Sequence, residues 1–199
     1  VFNNANVGNG KTVTITSSYG GTDVNNYTIT DQASTTGNIA AKSLTATASA
    51  ANKVYDGNTT ATTTLTFTGL VGSETLGQTV GSTFNNKNVG SGKTVTVNSI
   101  TLADGTGLAT NYSISPGQTT TANITAKALT ANVSATNKVY DSTTLANTTL
   151  TLSGLIGSET LNVTANSTFD NKNIGSGKTV TVNSISPVSY THLRAHETE

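Results

Sequence analysis

The chain has 199 residues, ten basic and ten acidic, and no Cys, Met or Trp. With 10% charged residues of balanced sign, it has no basic field to hold a nucleic acid and no acidic field to gather cations. The lack of Cys excludes disulfide staples, and no apolar run approaches the roughly 20 residues of a membrane span. The 34% hydrophobic content supports thin cores of Val, Ile, Leu and a few aromatics, and the abundant Thr favours strands because its branched Cβ fits a pleated surface.

In chain order, residues 2–15 introduce a pattern: an aromatic, a polar Asn run, a Gly-x-Gly turn, then alternating Thr and an apolar residue. It returns at 84–97 and at 169–182, led by Phe84 and Phe169, which are 85 residues apart. Its fixed positions in the second copy are Phe84, Asn88, Gly90, Gly92 and Lys93. The pattern reads as a turn feeding a half-buried strand. Lys53-Val54-Tyr55-Asp56 returns as Lys138-Val139-Tyr140-Asp141 at the same offset, and Asn26-Tyr27 returns as Asn111-Tyr112. A period near 85 matches one small all-β domain and exceeds the roughly 20–50 residues of a solenoid coil or propeller blade.

The reading is therefore all-β: tandem β-sandwich modules of immunoglobulin-like type, arranged end to end. Residues 1–43 are the C-terminal half of a first module, with strands at 11–16, 26–30 and 37–41; residue 1 falls inside a module, so the missing leader reflects a late start. Residues 44–128 are one complete module, with strands near 44–50, 54–55, 62–68, 78–84, 93–102, 111–115 and 121–125. Alternation turns Leu65, Phe67, Val95, Val97, Tyr112, Ile114 and Ile124 inward. Residues 129–187 are the N-terminal part of a third, truncated module. The junctions at 38–46 and 123–132 lack the Gly/Ser content of flexible linkers; a nearly continuous strand passing between modules, and so a stiff array, is expected.

From Val188 the repeat is lost, and the last twelve residues carry both histidines, His192 and His196, and the sole Arg of the chain. This tail resembles a translated sequencing adapter, so 188–199 reads as non-native and the histidines as no metal or acid–base pair.

The segment Tyr55-Asp56-Gly57, preceded by Lys53 and repeated at Tyr140 and Asp141, together with the Phe84 stretch and Tyr112, resembles the YDG-type repeat of large bacterial adhesins of the filamentous-haemagglutinin kind. Ser142 departs from the signature, which has Gly there. The resemblance implies an extracellular or surface-exposed structural repeat, a stalk or spacer that projects a binding region from the cell, often exported through a partner outer-membrane pore. It implies neighbouring repeats as the immediate partners. The alternative is a module that binds host glycans or proteins weakly and gains avidity by repetition.

No residue set suggests an enzyme or a cofactor, and the signature positions read as structural. Gly90-Ser91-Gly92-Lys93-Thr94 ends like a phosphate-binding loop, but position 87 is Lys where that loop needs Gly, and a strand follows. Asp56 as a calcium ligand lacks companion acids at calcium spacing. A covalent link from Lys93, promoted by Glu74 or Asp104, and glycosylation at Asn-x-Ser/Thr sites such as Asn58 and Asn111 are lesser readings. The Thr alternation at Thr12, Thr14, Thr94 and Thr96 offers a hydroxyl ladder for glycan or ice, against the plain reading of a solvated strand face.

Overall fold

A computed structural model describes residues 1–187, which form two compact units divided after Thr125. In the first unit, β1 (Gly8–Thr14) pairs antiparallel with β2 (Ser34–Ile39), and the short β3 (Lys42–Ser43) follows after Ala40 and Ala41. Then come β4 (Thr45–Ala50), β5 (Lys53–Val54), β6 (Thr60–Ala61), β7 (Thr63–Thr68), β8 (Leu76–Phe84), β9 (Gly90–Asp104), β10 (Tyr112–Ser113) and β11 (Thr119–Thr125). Strands β5-β11-β9-β8-β6 make a five-stranded sheet, and β4-β7 make a separate ribbon. The result is all-β and sandwich-like, with a thin core.

Alternation decides what is buried. In β9, Val95 and Val97 point inward between outward-facing neighbours, and Phe84, Ala61, Ala122 and Ile124 meet Val95 in one cluster. Full burial of an aliphatic or aromatic side chain of this size contributes about 1.5–3 kcal/mol relative to exposure. The ribbon supplies Leu65, and a polar clamp ties it to the large sheet. The Leu65 amide donates to Gln78 Oε1 at 3.0 Å while Gln78 Nε2 donates to the Leu65 carbonyl at 2.7 Å. A side-chain amide thus stands in for a neighbouring strand. Beside it, Ser82 Oγ donates to Thr63 Oγ1 at 2.7 Å.

The sheet is closed by the last strand. β11 runs antiparallel to β9, with Thr120 opposite Val95 and Ala122 opposite Lys93. On its other side it runs parallel to β5, with Ile124 opposite Lys53 and Thr125 opposite Val54. The second unit holds β12 (Thr130–Ala135), β13 (Thr148–Ser153), β14 (Val163–Phe169) and β15 (Val180–Pro187), paired as β12-β13 and β14-β15. These are the counterparts of β4, β7, β8 and β9.

Several expectations need correction. Residues 26–30 are not a strand: Val24–Asn26 is a single 3-10 turn and extended chain follows. The counterpart segment shrinks to β10, which is a strand only because it pairs parallel with β3. The continuous junction strand is interrupted, at residues 40–41 and again at 126–129. The physical reason is pairing. β11 stops where its partner β5 stops, and residues 127–128 lack, among the described residues, the β10-like partner that organises Lys42 and Ser43. Phe67 and Ile114 are half-buried rather than core, because the ribbon covers one face of a narrow sandwich. The tail at 188–199, with His192 and His196, lies outside the described residues.

Candidate functional site

The repeat signature assembles into three local devices. The first surrounds Lys53. Its ammonium donates to Asp56 Oδ1 at 2.7 Å, to the Asn58 and Thr60 carbonyls at 2.9 and 3.0 Å, and to Asn58 Oδ1 at 3.0 Å. It also lies 5.5 Å from the centre of the Phe84 ring, within range of a cation–π attraction. Asp56 Oδ1 accepts the Asn58 amide as well, which bends the chain back toward the ammonium, and Gly57 supplies the left-handed backbone (φ 79°) that the bend requires. The Lys53 ammonium holds the Asp56 carboxyl below its ordinary value, aided by the Asn58 amide.

The second unit repeats this device. Lys138 donates to Asp141 Oδ1 at 2.8 Å and to the Thr143 carbonyl and Oγ1 at 2.9 and 3.0 Å, with the Phe169 ring 5.7 Å away. The Lys138 ammonium, with the Thr143 amide, lowers the Asp141 carboxyl to about 2. Ser142 takes the place of Gly57 at φ 63° and keeps the bend at a cost in strain. Tyr140 is largely exposed. The Asp56 carboxylate is thus engaged by the ammonium of its own chain.

The second device is the Gly-x-Gly turn. The side chain of Asn86 caps the Asn88 amide at 3.0 Å and accepts the Lys93 ammonium at 2.6 Å, so Lys93 folds back over its own turn. Lys11 reaches Asn4 and Lys178 reaches Asn171 in the same way. Gly10, Gly92 and Gly177 all adopt φ near 60°, a conformation that favours Gly. The Gly10 and Gly92 amides donate to the side chains of Asn38 and Asn123, each at 2.8 Å. A phosphate loop needs such amides and the following Lys directed at a ligand; here both are committed within the fold, and Gly90 opens strand β9. The link from Lys93 to an acid is also not assembled. Tyr112 donates to Glu74, and Asp104 accepts the Ala109 amide at 2.7 Å.

The third device is the Asn-Tyr pair, whose two residues have separate duties. Tyr112 is buried, donates to Glu74 Oε2 and accepts the Val71 amide at 3.1 Å, fastening the 71–74 turn. Glu74 raises the tyrosine's pKa above its ordinary value by holding the phenol proton. Asn111 faces the other way. Its Oδ1 accepts the Val7 amide at 2.8 Å and its Nδ2 donates to Asn6 Oδ1 at 3.0 Å. Asn6 and Val7 belong to the Gly-x-Gly turn of the preceding repeat, so within the first unit Asn111 joins one repeat to the next.

Sequence reasoning singled out the signature positions as structural and missed Lys53 as the hub of the first device and Asn111 as the joint. Of the sequence-read Thr alternation, Thr12 and Thr14 are exposed on β1 opposite Thr36 and Ser34, and Thr94 is exposed beside the buried Val95 on β9. A longer exposed ladder lies on β4 and β7, where Thr45, Thr47 and Ser49 face Thr68, Thr66 and Thr64 in register. β12 and β13 repeat it with Thr130, Asn132 and Ser134 opposite Ser153, Thr151 and Thr149. The signal was present in the alternation of 45–49 and 64–68. Among the described residues there is no group of three or more His, Cys, Asp or Glu side chains placed to hold a metal ion. No described helix is long and apolar enough to cross a membrane.

No curated protein and no solved structure matches the chain. The YDG domain family model matches residues 40–122 and 125–192, one copy for the complete repeat and one for the repeat that follows. Each match contains one lysine–aspartate device and one Gly-x-Gly turn, and together they span well over half of the sequence: the chain belongs to the YDG domain family.

Proposed function

We propose that this chain is a run of structural repeats from a large bacterial surface or secreted adhesin, acting outside the cell as a stalk or spacer for a binding region elsewhere in the protein. The observation that carries this reading is the joint in the first unit. Only Ala40 and Ala41 separate β2 from β3, β3 pairs with β10 of the complete repeat, and Asn111 binds the preceding turn by two hydrogen bonds. A joint held at three points by polar contacts suits transmission of position rather than free swivelling. The signature residues support it too, since Lys53, Asp56, Lys93 and Tyr112 are engaged in hydrogen bonds within the fold. The immediate partners on this reading are neighbouring repeats, with no role for nucleic acid or membrane insertion.

A second reading has its own support in the β4–β7 ladder, whose outward row of hydroxyls and methyls offers weak contacts to host glycans or proteins that repetition would multiply. Glycan-array and host-cell binding by the full chain separates the two. Absence of saturable binding sustains the spacer; saturable binding lost on replacing Thr47 and Thr66 by Lys moves the adhesive function into the repeat. We also take residues 188–199 as non-native, because the repeat pattern fails there although the family match runs on to 192. Sequencing of the gene from adapter-free DNA tests that point.

A further inference from the structure

The chain enters and leaves the complete repeat through strands that lie side by side and run in the same direction. At the entry, β3 pairs parallel with β10, and the Leu44 amide donates to the Ser113 carbonyl at 2.8 Å. At the exit, β11 pairs parallel with β5, and the Thr125 carbonyl accepts the Tyr55 amide at 2.8 Å. Every other strand pair among the described residues is antiparallel. Tension that draws the start of β3 away from the end of β11 slides the members of each parallel pair past one another. Their hydrogen bonds run from strand to strand, across that direction, and have to break together. Tension on the two free ends of an antiparallel hairpin peels the bonds one at a time, at lower force.

We propose that the complete repeat is built to bear tension, with the β3–β10 and β5–β11 pairs acting together as a shear clamp. The inference rests on the stalk reading and adds a mechanical task to it, because a spacer between a cell and a held target carries whatever force the target exerts. Two side chains reinforce the clamp at its short strands. Lys53 sits in β5 opposite Ile124, and its ammonium holds the Thr60 carbonyl of β6, so it ties the two outermost strands of the five-stranded sheet to each other. Strain on β5 is thereby shared with β6. Where the register of β11 with β9 shifts between Ala122 and Ile124, Asn52 Oδ1 accepts the Asn123 amide at 2.7 Å and fastens β11 to the residue before β5. The lysine of the repeat signature thus serves the strand pair on which the pull falls.

The test is single-molecule force spectroscopy on the full chain, which has no Cys, so a pair of introduced cysteines fixes where the force enters. Handles at Ala41→Cys and Lys127→Cys, both exposed, shear the clamp. Handles at Ser73→Cys and Thr110→Cys, also exposed, open β8 from β9 at the end where Leu76 faces Asp104. At one pulling speed the rupture force should be at least threefold higher through 41 and 127. That rupture should come as a single step that frees roughly 250–300 Å of chain, at about 3.3–3.6 Å per residue. Lys53→Met should lower the force through 41 and 127 by at least a quarter and leave the force through 73 and 110 unchanged. Equal forces in the two geometries, stepwise lengthening through 41 and 127, or an equal loss in both geometries with Lys53→Met would each overturn the clamp. Glycan and host-cell binding decides the stalk reading separately: saturable binding there would remove the stalk and leave the difference between the two geometries intact.

Discussion

Asn111→Ala tests whether the joint between repeats is held where the geometry places it. The substitution removes two hydrogen bonds, the Val7 amide to Oδ1 at 2.8 Å and Nδ2 to Asn6 at 3.0 Å, in a half-buried setting. Each is worth about 0.5–1.5 kcal/mol net, so the loss is about 2 kcal/mol, or roughly 30-fold in a local opening equilibrium. The assay is amide exchange read residue by residue. The Val7 amide should exchange about 30-fold faster, while the Tyr55 amide, held by the Thr125 carbonyl, and the Gly92 amide, held by Asn123, keep their protection. Backbone bonds at position 111 survive, since its amide still donates to the Leu108 carbonyl and Tyr112 still anchors the neighbouring turn. Asn111→Asp should fall between, because it keeps the acceptor for Val7 but faces Asn6 Oδ1 with a second oxygen. Unchanged exchange at Val7 would refute the joint; loss of protection at Tyr55 as well would show that Asn111 supports the module itself.

Ser142→Gly should stabilise the second unit by about 0.5–1 kcal/mol, the relief of about 1–2 kcal/mol of left-handed strain less the added freedom of Gly in the unfolded chain, read as a rise in the denaturant midpoint. Gly57→Ser should cost the first unit a similar amount. Ile124→Ala, at a site 1% exposed, should destabilise the first unit by about 2–5 kcal/mol in urea unfolding; a loss below about 1 kcal/mol would mean that β11 does not seal the core. Acid should loosen the 138–143 bend. Asp141 is held at about 2 against 3.8 for the free group, so the stabilisation is complete above about pH 5 and fades as the pH falls from 3.8 through 2. Lys138→Met should shrink that pH dependence to what the Thr143 bonds sustain, which carboxyl chemical shifts of Asp141 would report.

The fold class was legible because strand alternation in Thr-rich segments is written in nearest-neighbour order. Val95 and Val97 flanked by Thr94 and Thr96 predicted an inward face, and the structure buries both valines. Equivalent reasoning failed at 26–30, since a strand exists only with a partner. The partner of its counterpart β10 is β3, nearly 70 residues earlier in the chain, and no local pattern announces a parallel pairing of two residues. The junctions failed for the same reason. The absence of Gly and Pro suggested continuous strand there, but whether such chain is strand depends on a neighbour that spacing alone does not supply.

The signature shows the limit from the other side. Tyr55, Asp56 and Gly57 were conspicuous because they recur, yet recurrence does not say what a residue touches. Asp56 attracted a calcium reading because an exposed carboxylate in a turn resembles a ligand; its partner proved to be Lys53, three residues back, shared with the Phe84 ring from a different strand. That arrangement also explains why the two motifs travel together. The lysine needs the aromatic face on one side and the aspartate on the other, so Lys53 and Phe84, and again Lys138 and Phe169, are two halves of one contact at a fixed separation. A repeat that varied one half alone would leave a partly buried ammonium facing an apolar core, which is a physical reason for motifs about thirty residues apart to be kept as a pair.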